Sequence, residues 1–158
     1  MEKLLLFIKE NIRLLIGAGV VIFIGLFLIT LVISKKTTLV SVGNQTFKVK
    51  VAATDQQKQI GLSETKSLKQ NQGMLFVFDN PDYYRFWMKN MNFPIDIIYI
   101  REEKVITVIS NAKVQANLND DLIIYSPKEK SDKVLEINAG LANKYAIKEG
   151  SVVKIQNL

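Results

Sequence analysis

The sequence predicts a mainly β domain, a compact β-sandwich or jelly-roll-like barrel with one or two short helices, preceded by one N-terminal transmembrane α-helix. Three observations predict it. An uncharged apolar run fills residues 14–33, many short apolar or alternating runs separated by polar turns fill the rest, and neither cysteine nor histidine occurs among the 158 residues. The length leaves room for one globular unit. The chain divides accordingly into a leader (1–13), a span (14–33), a linker (34–45) and a β-rich domain (46–158).

The run LLIGAGVVIFIGLFLITLVI from Leu14 to Ile33 carries no charge, and at about 1.5 Å per residue its 20 residues reach roughly 30 Å, the depth of a bilayer core. A cleaved signal peptide competes with this reading, because Lys3, Lys9 and Arg13 form a basic leader and Val32-Ile33-Ser34 resembles a cleavage site. Signal cores are usually only about 7 to 15 residues long, so an uncleaved anchor is preferred. Basic residues flank both ends. Long domains cross regardless of the charges that follow a span, so the basic leader places the amino terminus in the cytoplasm and the domain outside. The expected address is a cell membrane crossed once, with the bilayer as partner.

After Ile33 the chain carries 18 basic against 13 acidic residues. A mild basic surplus beside a membrane suits anionic lipid or wall polymer. No dense basic cluster interleaved with aromatics appears, so no nucleic-acid partner is expected. The FKVKVAA stretch (Phe47 to Ala53) alternates apolar with basic residues as a strand with one wet face does. Thr54, with Gln57 three residues on, forms a capping box that opens a short helix ending near Gly61. MLFVF (Met74 to Phe78) is too short and too aromatic for a helix and reads as a buried strand. Further strands are expected at Tyr84 to Lys89, Ile95 to Ile100, Val105 to Ile109, Leu122 to Tyr125, Val134 to Ile137 and Ser151 to Ile155, with a short helix from Leu141 to Ala146. Polar turns such as Arg101 to Lys104 join them.

The missing residue types exclude much chemistry. Without cysteine there is no disulfide framework, thiolate metal site or cysteine nucleophile. Without histidine there is no Ser-His-Asp triad and no imidazole ligand. No glycine-rich phosphate loop is present, and no serine sits in the Ser-Met-x-Pro context of an anchored signal peptidase. Asp79, Asp82, Asp120 and Asp121 lack the regular spacing of a calcium loop and read as turn residues. No cofactor and no metal are expected.

The segment GMLFVFDNPDYYRFWMKNMNFPIDIIYI (Gly73 to Ile100) closely resembles the hallmark of the uncharacterised bacterial and archaeal domain-of-unknown-function family 192, with FWMKN followed by Pro-Ile-Asp as its specific core. Thr54 to Leu62 is similar to that family's short helix ending in Gly-Leu, and Tyr125-Ser126 with VLEINAG (Val134 to Gly140) to its C-terminal signature. The resemblance implies a small β-rich domain of jelly-roll type, often exported or anchored, with no established activity. The chain departs from the family at Ser63 and Thr65, where Met and Arg are usual, and at Lys113-Val114-Gln115, where a Pro-Cys pair is frequent.

Period two along Tyr84 to Lys89 puts Tyr84, Phe86 and Met88 on one face and Arg85, Trp87 and Lys89 on the other. The second set forms a binding face in one reading, a Trp platform flanked by two cations. In the other reading Trp87 packs under a loop and the cations are solvated. Asn90 either occupies a turn or joins that face. Asp96 and Glu136 each interrupt an apolar strand, so each carboxyl either faces water or is buried and paired, with Arg85 and Lys89 as nearest partners. A structural ion pair is one outcome. A glycosidase-like acid and base, which needs two carboxylates about 5 to 9.5 Å apart, is the other.

The leading expectation is an uncharacterised membrane-anchored envelope domain that binds a polar ligand such as a glycan, without catalysis, through Arg85, Trp87, Lys89, Asn90, Asp96 and Glu136. The alternatives are a hydrolase using Asp96 and Glu136, and a scaffold that holds a membrane partner through Gly17, Gly19 and Gly25 of the span. The sequence names no protein partner.

Overall fold

The computed structural model describes residues 1–32, 36–115 and 122–158. Part of the expected linker, and Asp120 and Asp121, therefore lie outside the described residues. The chain forms two units, residues 1–36 and 37–158. The first is one helix, α1 (Glu2–Val32). Several side chains between Leu14 and Val32 are outside the described set, and among the described residues no helix is long and apolar enough to cross a membrane. The expected span over 14–33 therefore rests on the sequence.

The second unit is mainly β. Its strands β1 (Thr38–Val42), β2 (Gln45–Ala52), β3 (Gln72–Asp82), β5 (Ile95–Arg101), β6 (Lys104–Ala112), β8 (Ser131–Asn138) and β9 (Val153–Gln156) make one sheet in the order β6-β5-β8-β3-β2-β1-β9. A two-residue pair, β4 (Phe86–Trp87) with β7 (Ile124–Tyr125), stands apart from it. This is a single curled sheet rather than the two facing sheets of a sandwich. Six residues form α2 (Asp55–Ile60), the crossover between the parallel strands β2 and β3. Four form α3 (Leu141–Lys144).

The curl brings the sheet's two ends together. Lys104 bridges Val152, the Val105 N–H donates to the Ser151 carbonyl and the Val153 N–H to the Glu103 carbonyl, so β6 and β9 nearly close a half-barrel at one end. Bonding there satisfies backbone groups that an open edge would leave exposed. The sheet begins at Thr38, inside the stretch expected as linker. TLVSV is a five-residue alternation with Thr38, Val40 and Val42 buried, paired to β2 on one side and β9 on the other.

Two apolar clusters sit on opposite faces of the sheet. One joins Val40, Phe47, Val49, Leu75, Ile98, Ile100, Leu135, Ile137 and Val153 with Leu141 and Ala142 of α3. The other joins Ala52, Leu62, Met74, Phe76, Met88, Met91, Ile97, Tyr99 and Val134, and it lies beneath the connections that carry α2 and β4. Burying both faces explains why apolar residues follow one another without alternation from Ile97 to Ile100 in β5 and at Val134 and Leu135 in β8, because a strand covered on both sides has no wet positions to alternate with.

The capping box forms as its spacing predicts. The Thr54 hydroxyl accepts from the Gln57 N–H at 3.3 Å while the Gln57 side chain accepts from the Thr54 N–H at 3.1 Å. Gly61 ends α2 at φ +52°, and a Cβ there would stand 3.3 Å from the Phe76 ring. Left-handed backbone and close packing thus both call for glycine at the lip of the site described next. The expected strand over Tyr84 to Lys89 is regular only at Phe86 and Trp87. Its alternation persists beyond them: Met88 is buried and Tyr84 and Phe86 half-buried, while Arg85, Trp87 and Lys89 are exposed.

Candidate functional site

The hallmark carboxylates part company at the sheet. Register pairs Asp96 of β5 with Ile137 of β8, and Ile97 with Glu136. Cross-strand partners share a face and successive residues alternate, so Asp96 and Glu136 project to opposite sides. A two-carboxylate hydrolytic site is thereby ruled out for this pair.

Asp96 is fully buried, and its partners are main-chain groups rather than the expected cation. One carboxylate oxygen accepts from the N–H of Asn111 at 2.8 Å and of Gly140 at 3.1 Å, and the other accepts from the N–H of Ala142 at 2.8 Å. Asn111 takes a left-handed φ of 55° where β6 shifts register against β5, and Gly140 and Ala142 open α3. The carboxylate therefore caps a helix from a distant strand and pins a bulge, supplying the acceptor that Gly140, without a side chain, does not. Its role is structural.

Glu136 faces the other way. It lines a cavity of about 490 Å³ together with Lys58, Ile60, Gly61, Leu62, Ser63, Phe76, Phe78, Tyr84, Arg85, Phe86, Trp87, Lys89, Asn90 and Met91. Sites for small molecules commonly fall between roughly 300 and 1,000 Å³. Glu136 is 5% exposed, and its Oε2 is buried with no hydrogen-bond partner among the described residues. Burial pushes its carboxyl up to about 8, so near neutrality the group is mainly protonated and can donate as well as accept. Gly73 sets the seat of this residue. It pairs with Ile137, and a Cβ on it would fall 2.5 Å from the Glu136 carbonyl oxygen, so close approach of β3 and β8 requires glycine.

The walls are built from aromatic contacts. Phe78 stacks on Tyr84 with centroids 3.5 Å apart, and the Lys58 ammonium lies 4.9 Å from the Phe78 centroid. Phe86 meets Phe76 and Tyr99 edge to face, at 5.0 and 5.9 Å. The buried Tyr99 donates its hydroxyl to the Tyr125 carbonyl at 3.0 Å, holding the β4–β7 pair over the sheet. Burial first, and the Glu136 charge second, push the Tyr99 phenol up from its ordinary range. Across the opening, the Asn92 side chain donates to the carbonyls of Ser63 and Thr65, tying the loop after β4 to the loop after α2. Trp87 stays half exposed, and Asn90 turns the chain at φ 58°.

Of the six site residues read from the sequence, Arg85, Trp87, Lys89, Asn90 and Glu136 line this one cavity, and Asp96 does not. Sequence reasoning missed the contribution of α2 and its exit, Lys58 to Ser63. The signal was present in the capping box followed by Gly61-Leu62, which placed a helix end but not what it faces. Among the described residues no three His, Cys, Asp or Glu side chains gather as a metal site requires.

Known proteins share the fold. A crystallised protein of unknown function from Novosphingobium aromaticivorans DSM 12444 is 30% identical, with a TM-score of 0.67 over 73% of this chain and 83% of that one. A candidate transcription regulator from Sinorhizobium meliloti 1021, 24% identical, has the same fold, with a TM-score of 0.70 over 80% of this chain and 98% of its own. No curated protein matches. Residues 37–155 match the model of the domain-of-unknown-function family 192, described as Uncharacterized ACR. That stretch is the whole curled-sheet unit but for its last three residues, and the chain belongs to domain-of-unknown-function family 192.

Proposed function

We propose that the chain is a membrane-anchored envelope module that binds a hydroxyl-rich ligand such as a glycan, without catalysis, in the cavity floored by Glu136. One observation carries the reading: among the described residues the buried Glu136 Oε2 lacks a partner, and it lines a cavity that the half-exposed Trp87 also lines. An unpartnered buried acceptor costs on the order of 1 to 3 kcal/mol, and a ligand hydroxyl would recover that cost. A sugar ring offers both the hydroxyl for Glu136 and an apolar face for Trp87. Among the described residues that line the cavity Glu136 has no second acid beside it, and Asp96 faces the other side of the sheet, which supports binding over paired-carboxylate catalysis.

The anchor is supported by the charge-free run at 14–33 and by helical backbone from Glu2 to Val32. Val20 to Ile24 are five consecutive exposed apolar residues, so they point around the whole helix, as suits lipid rather than a one-sided protein contact. The basic leader, Lys3, Lys9 and Arg13, supports an orientation with the amino terminus in the cytoplasm and the domain outside.

A thermal-shift screen of the full chain against mono- and oligosaccharides tests the binding. A saccharide that stabilises the wild type should fail to stabilise Trp87→Ala, whose own folding stability changes by less than about 1 kcal/mol. Equal stabilisation of both proteins would place the ligand elsewhere.

A further inference from the structure

We infer that the ligand of this cavity is an anionic saccharide, a sugar carrying a carboxylate or phosphate, with its ring against Trp87, its acid group among Arg85, Lys89 and Lys58, and a hydroxyl on Glu136. The inference rests on the saccharide-binding reading above and adds the sign of the ligand's charge. It stands on the charged groups of the lining: among the described residues Lys58, Arg85 and Lys89 are the cations there, Glu136 is the one acid, and Tyr84 is the remaining ionisable group.

The acids nearest in sequence do not neutralise that set from within the cavity. Asp55 lies 4.0 Å from the Lys58 ammonium but is fully exposed, a contact of little strength in water. Asp82 is 3.9 Å from Lys130, and its charge and that of Asp79 reach Tyr84 at the wall, where burial first and these two acids next raise the phenol. Asp55, Glu64, Asp79 and Asp82 are all absent from the lining. Among the described residues, no ion pair engages Arg85 or Lys89, and both are exposed. Their alternation with Trp87 puts two cations beside the aromatic ring on one face of a short stretch.

The floor agrees with the rim. A carboxyl held largely protonated at neutral pH adds little negative charge against an entering anion, and it can donate to a ligand oxygen. A cationic ligand would meet three like charges at the opening. A neutral sugar would use the Trp and Glu positions and leave the cations idle. Low-dielectric walls strengthen the attraction of the rim for an anion, and added salt weakens it.

The test is isothermal titration of the full chain in a zwitterionic, sugar-free detergent. Glucose, glucuronate and glucose 6-phosphate form one matched set, and N-acetylglucosamine with N-acetylmuramic acid another. Within a set that binds, an acidic member should bind at least about tenfold more tightly than the neutral one at low salt. The preference should collapse in 0.5 M salt and in the double variant Arg85→Gln, Lys89→Gln, whose exposed positions predict an unchanged melting temperature, measured alongside. Preference for glucuronate over glucose 6-phosphate, or the reverse, assigns the acid group. Neutral sugars binding as well as acidic ones would overturn the charge inference and leave the saccharide reading standing. Binding by no member of either set would overturn both.

Discussion

Replacing Glu136 by Gln removes an ionisation from the floor of the cavity with almost no change of shape, and the effect on stability follows from linkage. Folded-state burial raises this carboxyl to about 8 from its ordinary 4.5. Below pH 4.5 the group is protonated in both folded and unfolded chains, so the contribution of the raised value is fully present. As pH climbs toward 8 the unfolded chain gives up the proton while the folded chain keeps it, and stability falls by about 1.4 kcal/mol per pH unit. Across the window the loss is on the order of 4 to 5 kcal/mol, after which both states are ionised and the curve levels. The window is clean, because the chain has no histidine to titrate within it. Urea unfolding followed by far-ultraviolet circular dichroism at intervals from pH 4.5 to 9 reads this directly. Wild type should lose stability steadily with rising pH at constant m-value. Glu136→Gln should be nearly flat and, at pH 8 to 9, the more stable protein by several kcal/mol. A wild-type curve level between pH 5 and 8, or a Gln variant with the wild-type slope, would refute the claim that this carboxyl is buried and unpaired.

Asp96→Ala strands three main-chain donors in a buried site and should destabilise the domain by at least about 3 kcal/mol, read as a lower urea midpoint. Asp96→Asn, which keeps one acceptor, should recover part of that loss. Gly73→Ala forces a Cβ against the Glu136 carbonyl and should lower the melting temperature by many degrees, whereas Gly140→Ala meets no atom within 4 Å and is limited to its left-handed backbone cost. The anchored reading predicts that the chain stays with membranes through a carbonate wash and keeps its amino-terminal residues. A soluble mature form starting near Lys35 would instead identify a cleaved signal peptide.

Local signals carried far into this structure where one face of an element is wet. The alternation of FKVKVAA appears as buried Phe47 and Val49 between exposed Lys48 and Lys50, and the Thr54 to Gln57 capping box is realised bond for bond. The same alternation at 84–89 separated the residues that pack inward from those that face out. Where both faces are dry, alternation says nothing. Ile95 to Ile100 is buried at every position, so the sequence could not tell which side of the sheet Asp96 takes, nor that Glu136 takes the other. Both acids interrupt apolar runs in the same way, yet one satisfies main-chain donors and the other lacks a partner for an oxygen. Long-range order was equally silent. The placement of β8 between β5 and β3, and the meeting of β6 with β9, depend on pairings far apart in the chain. The first strand, TLVSV, is short and is parted from the apolar segment only by the polar Ser34 to Thr37, so in sequence it reads as part of a linker.

The measurement that bears most directly on the account uses the chain's single tryptophan, since Trp87 lies half exposed at the lip of the cavity and reports on nothing else. Titration with the tightest-binding saccharide should shift its emission to the blue and shield it from acrylamide, with a midpoint equal to the calorimetric Kd. Saturation that leaves both the emission maximum and the quenching constant of Trp87 unchanged would contradict the assignment of this cavity as the binding site.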